Sequence, residues 1–372
     1  MQKNWFSIGL MSGASGDGVD LSLIKTNGIN QYELIKDKYY EYDSEIYKDI
    51  HNLKDKIHKI EHLRTNSVEI DELERKITIF HAKIIEDLNL CKETIVGFHG
   101  QTIYHNPKEK ISRQLGNGKL LNQLTKKRVV YNFRGNDILN GGQGAPLTPI
   151  FHHLICAQNK IQLPICFLNI GGISNITIIR DNKNLSKLFS KDIGPGNCLI
   201  DSWVRKNSNK KFDKDGFLAA SGTKNEIIYE QAQELYSNRN NKKKMTFDTN
   251  DFDISFVRGL SLEDGAATLT DFTASIIGEE LLLSLKNFRE SIENILLCGG
   301  GRKNKILLQK IKQNLTSNIN LKFVDDYKID GDFVESQAFA FLAVRTVLQL
   351  PISFPNTTGC KAPCIGGEVI GS

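Results

Sequence analysis

The amino-acid sequence predicts an α/β fold of two domains, and three observations lead there. The chain has 372 residues, more than one ordinary domain of ~100–200 residues holds. Short apolar runs end abruptly in glycine-rich turns in both halves, the form of a buried strand whose C-terminal edge faces a ligand. Between those runs, apolar residues recur at spacings of three and four, as one buried helix face requires. Strands alternating with helices build α/β layers.

The elements follow in order. Residues 5–10 form a strand that leads into the turn Ser12-Gly13-Ala14-Ser15-Gly16-Asp17-Gly18, with a second apolar run at 21–24. Ile46, Ile50, Leu53, Ile57, Ile60 and Leu63 mark one helix face, and Ile70, Leu73, Ile77, Ile84 and Leu88 continue the theme. Residues 94–98 make a strand ending at His99-Gly100, residues 165–170 one ending at Gly171-Gly172, and residues 295–298 one ending at Gly299-Gly300-Gly301. Residues 304–315 and 335–350 read as helices. The lysine- and asparagine-rich stretch 237–253 is polar with little periodicity and reads as a surface loop or lid edge. The recurrence of glycine-ended strands in both halves points to two similar folds side by side.

Composition narrows the function classes. Hydrophobic residues are 40% and charged residues 24%, a soluble globular balance. The net charge of +5 is slight and dispersed, and the dense run Lys242-Lys243-Lys244 reads as a solvated loop. A nucleic-acid partner is not expected, since neither a basic stripe nor a recognised binding module is found. Seven cysteines, an odd and scattered set, read as small buried hydrophobes of a reducing compartment. Cys360 and Cys364 are four apart, with no second pair to complete a zinc site. Residues 1–13 show no apolar signal core, and no run approaches 18 apolar residues. A cytoplasmic protein with no membrane partner is expected.

Several segments carry chemistry. The loop from Gly13 to Asp20 (Gly13, Ala14, Ser15, Gly16, Asp17, Gly18, Val19, Asp20) joins two strands; its glycines let backbone approach a phosphate closely, and its hydroxyl adds a donor. Asp17 is a candidate magnesium ligand, directly or through water. A hairpin in which Asp17-Gly18 merely makes the turn has the same residues. The cluster His99, Gln101, Thr102, Tyr104 and His105 follows a buried strand and offers the donors and acceptors a sugar needs; satisfied loop histidines are the plainer reading. Residues 132–147 are glycine-dense, which suits a ligand approach, a hinge or an ordinary linker. Gly171 and Gly172 repeat the strand–glycine–strand idea of the first loop, and two such hairpins can grip a polyphosphate from both sides. Asp192 precedes Gly194-Pro195-Gly196, a turn that would present its carboxylate rigidly as a general base requires; a capping role fits the same residues. Gly299, Gly300 and Gly301 end a strand where a flat adenine or ribose could lie against backbone. Glu335 is a first-turn helix acid or a site carboxylate.

The order of these blocks resembles the anhydro-N-acetylmuramic acid kinase family. The matching pieces are MSGASGDGVD (11–20), GFHGQTIYH (97–105), NGGQGAPLTP (140–149), LNIGGISN (168–175), DIGPGNCLID (192–201), FDKDG (212–216), CGGG (298–301) and VESQAFAFLA (334–343). The resemblance implies a pair of actin/hexokinase-like (ribonuclease H-like) domains with an ATP cleft between them. The first domain would span 1–140, with the tail from about 350 to 372 packing back on it, and the second 141–349. It implies an ATP- and Mg2+-dependent kinase that opens the 1,6-anhydro ring of anhydro-N-acetylmuramic acid with water and phosphorylates O6, in recycling of cell-wall sugars. By resemblance Asp192 is the catalytic base. Gly13 to Asp20 and Gly171 with Gly172 hold the phosphates, with Asp17 at the metal. Gly299 to Gly301 line the adenosine, and His99, Gln101, Thr102, Arg134, Asp137 and Glu335 meet the sugar. The family's tendency to dimerise suggests a homodimer.

The chain departs from the family in places. The usual MSGTSLDG loop here carries Ala14 for threonine and Gly16 for leucine, so a hydroxyl donor is lost and a weaker grip on phosphate is expected. Phe133-Arg134-Gly135-Asn136-Asp137 stands where FRRRD is usual, and 242–248 replaces a KSTGRE-like segment. A kinase of another sugar on the same scaffold, or a decayed kinase that binds without turnover, are the alternatives; the retained Asp192 speaks against the second.

Overall fold

The computed structural model describes residues 3–88, 90–238 and 246–371. Lys242, Lys243 and Lys244, expected in a solvated loop, lie outside them. The chain forms two compact units, one of Met1–Gln162, Asp181–Phe189 and Asp332–Ser372, the other of Leu163–Arg180 and Ser190–Gly331. The expected division at residue 140 assigned residues 141–349 to the second domain. The compact units draw the line elsewhere, and the helices Pro149–Gln158 and Val334–Val347 belong with the first sheet.

The first unit is built on β1 (Trp5–Ser12), β2 (Gly18–Thr26), β3 (Tyr32–Glu41), β4 (Ile95–Asn106), β5 (Ile111–Leu115) and β6 (Val129–Tyr131). The second holds β7 (Ile165–Ile170), β8 (Ile173–Ile179), β9 (Leu188–Pro195), β10 (Asn294–Cys298) and β11 (Asn320–Phe323), and β12 (Glu368–Ile370) returns to the first. The first sheet runs β12-β6-β4-β1-β2-β3, with β5 on β4; the second runs β11-β10-β7-β8-β9. In each, a three-strand meander is followed by two strands that continue parallel to its first strand. That shared order is the ribonuclease H-like arrangement, once in each half of the chain. The tail pairs through β12 with β6, Val369 opposite Val130.

Two glycines explain why a helix from residue 334 onward belongs to a sheet that starts at residue 5. Gly9 and Gly97 are direct partners in the β1–β4 register. A Cβ on Gly9 would lie 1.8 Å from the Ser336 carbonyl oxygen, and one on Gly97 2.4 Å from that of Phe339. The helix Val334–Val347 thus sits backbone to backbone on the sheet, and Ser7 Oγ donates to the Ala340 carbonyl at 2.8 Å. Its residues from Ser336 to Thr346 are almost wholly buried.

The helical periodicity at 46–63 resolves into two pieces, Ser44–Lys54 and Ile60–Thr65. Asp43 caps the first by accepting from the Glu45 and Ile46 N–H groups. Ile46, Ile50, Leu53 and Ile57 stay buried, so the apolar spacing holds through the break, where the His58 N–H donates to His62 Nδ1 rather than along the helix. The helices Ser67–Glu86 and Lys305–Gln313 lie where the periodicity places them, the latter capped by Asn304. Among the described residues, no helix is long and apolar enough to cross a membrane.

Five histidines of the first unit are held below the ordinary value mainly by burial: His81 at about 4, His105 and His152 at about 3, His99 well below, and His153 below. The unfolded chain takes up protons at these rings near pH 6.5, where the folded one does not. Stability is therefore full above about pH 6.5 and falls as pH drops toward 4. The urea midpoint is expected to decline between pH 7 and 4.5; a midpoint flat across that window would contradict this burial.

Candidate active site

In the first unit the β1–β2 turn is both a hairpin and an open loop. Met11 pairs with Asp20, and Gly16 N–H donates to the Gly13 carbonyl at 3.2 Å. Gly16 has φ +65, and a Cβ there would meet Ile50 Cγ2 at 2.8 Å, so this fold of the loop requires glycine where the family usually has leucine. Ala14 is exposed at the tip, and Lys54 Nζ donates to its carbonyl at 2.6 Å. Ser15 Oγ donates to Asp17 Oδ1 at 2.6 Å, and Gly18 is closed in by Tyr39 and Tyr40. Val19 is buried core and Asp20 is half-buried on β2.

Gln101, expected on the sugar side, comes from β4 to the same loop. It is fully buried; its Nε2 donates to the Gly13 carbonyl at 3.0 Å, and its Oε1 has no hydrogen-bond partner among the described residues. A buried acceptor left open suits a ligand hydroxyl or a metal-bound water. Gly13 has only Ser15 Oγ, at 3.8 Å, near the place of a Cβ, so the loop leaves room there. A single carboxylate, Asp17, fits the way Mg2+ is usually held, by one or two carboxylates together with phosphate and water.

The sugar-side candidates form a second chain of contacts in this unit. His99 Nδ1 donates to the Gly100 carbonyl at 2.7 Å, which leaves Nε2 to accept from Arg134 Nε at 3.1 Å and Nη2 at 2.9 Å. Burial and the neighbouring guanidinium keep that ring neutral. Arg134 Nη1 donates to the Gly144 carbonyl at 2.7 Å. The Asp137 carboxylate, expected to meet substrate, is fully buried and accepts from Gly144 N–H (2.7 Å), Ser353 Oγ (2.5 Å) and Thr358 Oγ1 (2.6 Å). It ties the 134–144 loop to the tail, with Asn140 accepting from Lys361 N–H nearby. Thr102 Oγ1 accepts from Gln114 Nε2 at 3.2 Å. Glu335 stands half-buried in the first turn of its helix.

In the second unit the Gly171-Gly172 turn holds the segment after Asp192. Gly196 N–H donates to the Gly172 carbonyl (2.9 Å) and Asn197 N–H to that of Gly171 (2.8 Å). A Cβ on Gly196 would lie 2.2 Å from the Gly171 oxygen, so the close approach demands glycine. Asp192 lies within β9, three residues before its end, and does not cap a helix; Asn197 stands at the cap position of the helix Cys198–Asn207, with Asp201 in the first turn. Asp192 is 7% exposed, and Phe247 N–H donates to its Oδ2 at 2.9 Å. Thr246 and Phe247 are buried, so this part of the polar stretch is wall rather than surface loop.

Gly299 and Gly301 fit against β7: Cβ atoms there would meet Asn169 Oδ1 at 2.3 Å and Ile170 Cγ2 at 2.2 Å, while Gly300 faces open space. Three contributors are absent from the sequence reading: Lys54, Arg302 and the Phe247 N–H. Arg302 directly follows the glycines, so its position was a signal. Lys54 is an unremarked helix residue, and a backbone donor leaves no trace in a sequence. Among the described residues there is no group of three or more His, Cys, Asp or Glu able to hold a metal.

Comparison with known proteins adds the family. The model of the family described as anhydro-N-acetylmuramic acid kinase matches residues 5–371. The anhydro-N-acetylmuramic acid kinase of Pelagibacter ubique (strain HTCC1062) is 55% identical over 373 residues, covering 100% of this chain and 99% of that protein. The protein of the same name from Zymomonas mobilis subsp. mobilis is 36% identical, covering 98% and 99%. A solved structure, the activator of the 2-hydroxyisocaproyl-CoA dehydratase from Clostridium difficile, overlaps 92% of this chain and 96% of its own at 11% identity and a TM-score of 0.41. With a match from residue 5 to residue 371 and relatives aligned end to end, the chain belongs to the anhydro-N-acetylmuramic acid kinase family.

Proposed function

We propose that this protein is an ATP-dependent kinase of anhydro-N-acetylmuramic acid. Water adds to the anomeric carbon, the C1–O6 bond of the anhydro bridge breaks, and O6 takes the γ-phosphoryl group of ATP. The products are N-acetylmuramic acid 6-phosphate and ADP. The observation that carries this reading is the end-to-end family match, which includes an intact DIGPGN segment.

Within that reaction, Asp192 takes the proton of the attacking water. Its burial and the Phe247 N–H at Oδ2 hold the carboxylate in a fixed orientation, the positioning a general base needs. Gly13 to Gly18, braced by Gln101, and Gly171 with Gly172 receive the phosphates; Lys54 supplies positive charge at the loop tip, where Ala14 offers no hydroxyl. Asp17 holds Mg2+, which neutralises phosphate charge when bound. Gly299 to Gly301 take the adenosine. Arg134, oriented by the His99 ring that burial and the guanidinium keep neutral, meets the sugar with Thr102 and Glu335, and Asp137 contributes by fixing the loop that carries Arg134. The enzyme acts in the cytoplasm, where ATP is available, and a homodimer is the assembly to test first.

The test is incubation of the purified chain with ATP, Mg2+ and anhydro-N-acetylmuramic acid, followed by mass spectrometry. A product heavier than the sugar by one water and one phosphoryl group is expected; ADP release without it would point to another acceptor. Gly13→Val separates the phosphate assignment from folding, because the space at Gly13 accepts a side chain without backbone conflict. The KM for ATP is expected to rise about tenfold with an unchanged melting temperature. Unaltered ATP affinity would move the phosphates away from this loop.

A further inference from the structure

We propose that Arg302 is a positioning residue for the nucleotide: its guanidinium fixes the 299–301 turn by clamping it to the 325–331 segment. This rests on the kinase reading above and adds to it a residue that contacts no reacting atom.

The geometry is that of a clamp with four arms. Arg302 is 7% exposed. Its Nε and Nη2 donate to Asp325 Oδ2 at 2.9 Å and Oδ1 at 2.8 Å, a fork-to-carboxylate pair. Nη2 also donates to Asp330 Oδ1 at 3.0 Å, and Nη1 to the Gly299 carbonyl at 3.2 Å. The backbone closes the same ring: Gly299 N–H donates to the Gly331 carbonyl at 2.9 Å, and Gly331 N–H to Asp325 Oδ1 at 3.4 Å. Gly331 lies flat on the guanidinium, since a Cβ there would stand 2.5 Å from Nε and 2.7 Å from Cζ. Arg302's hydrogen bonds also hold the Asp325 carboxyl below the usual carboxylate range.

This density of contact meets a turn that is packed against β7 at Gly299 and Gly301 but open at Gly300. Three consecutive glycines have the largest backbone freedom of any sequence, and a Cβ on Gly300 would meet nothing within 4 Å. A turn that must lie flat against a nucleoside binds best when its conformation is set beforehand. The clamp supplies that restraint from the side of Gly299, and leaves Gly300 facing open space. Lysine cannot replace it, because a point charge does not form the two parallel bonds to Asp325 while also reaching Gly299.

The test uses the full chain with Arg302→Lys, Arg302→Met and Asp330→Asn. Steady-state kinetics vary both substrates, and calorimetry measures ADP binding. In Arg302→Met the KM for ATP and the Kd for ADP are expected to rise about tenfold, with kcat within about twofold and the KM for the sugar unchanged. Arg302→Lys is expected to fall close to Arg302→Met. Asp330→Asn removes the negative charge from a single, half-exposed arm and so weakens it, giving a smaller rise in the same direction. Unchanged ADP affinity with only a lowered melting temperature would make Arg302 a scaffold residue and overturn the proposal, as would an equal rise in the sugar KM. Should both Arg302 variants fail to fold, Asp330→Asn decides, and wild-type ADP affinity there overturns it. A wild-type chain that forms no product from ATP overturns the kinase reading and this proposal together, whereas an active wild type with nucleotide-indifferent variants overturns this proposal alone.

Discussion

Asp192→Asn is expected to lower kcat about 10³-fold while leaving the KM for ATP and the melting temperature near wild type. Asparagine keeps the size of the side chain and an oxygen that can accept from Phe247 N–H, so the buried contact at 2.9 Å survives. What it removes is the ability to take a proton. Loss of turnover with intact folding and nucleotide binding therefore isolates the chemical role from the structural one. Phe247→Ala is the companion control: it retains the backbone donor, and so is expected to retain far more activity than Asp192→Asn. If Asp192→Asn turned over at the wild-type rate, the base would have to be sought elsewhere in the site.

The second large effect falls on stability. Gly9→Ala is expected to cost about 3 kcal/mol or more, which for a protein of this size lowers the melting temperature by roughly 4 °C or more. The added methyl would stand 1.8 Å from the Ser336 oxygen, 2.5 Å from Ala340 N and 2.9 Å from Ser336 C. All three are backbone atoms of one helix, and none can swing aside. The helix must move away from β1, which also loosens it from Gly97 on β4, where its Phe339 carbonyl makes the same kind of contact. Gly300→Ala is the contrast, since its new methyl enters open space, and its stability is expected to stay within about 0.5 kcal/mol of wild type. Calorimetric unfolding of the two variants side by side checks both; a Gly9→Ala protein as stable as wild type would mean the helix is not seated as described.

How much of this was legible beforehand differs from element to element. The strands that end at Ser12, Ile170 and Cys298, and the helices Ser67–Glu86 and Lys305–Gln313, follow from runs and periodicities a few residues long. The family was legible in the order of its motifs, because blocks such as DIGPGNCLID each fix a local turn that permits few sequences. Asp192 and the glycine turns were singled out as candidates for the same reason. The break at 55–59 was not, since Ile57 keeps the helical spacing while leaving the helix.

The sequence by itself determined the strands that end in glycine, the helices at 67–86 and 305–313, which turns carry glycine, and which family the chain belongs to. The tertiary structure alone decided what each segment is for. Gln101 serves the Gly13 loop, Asp137 gathers donors from residues 144, 353 and 358, and Gly9 and Gly97 exist for a helix more than 230 residues further on. The physical reason is range. Backbone preference and side-chain period act over a few residues and can be read along the chain. Steric exclusion and hydrogen-bond satisfaction act between whatever groups the fold brings within a few ångströms, and those partners have no fixed separation in sequence.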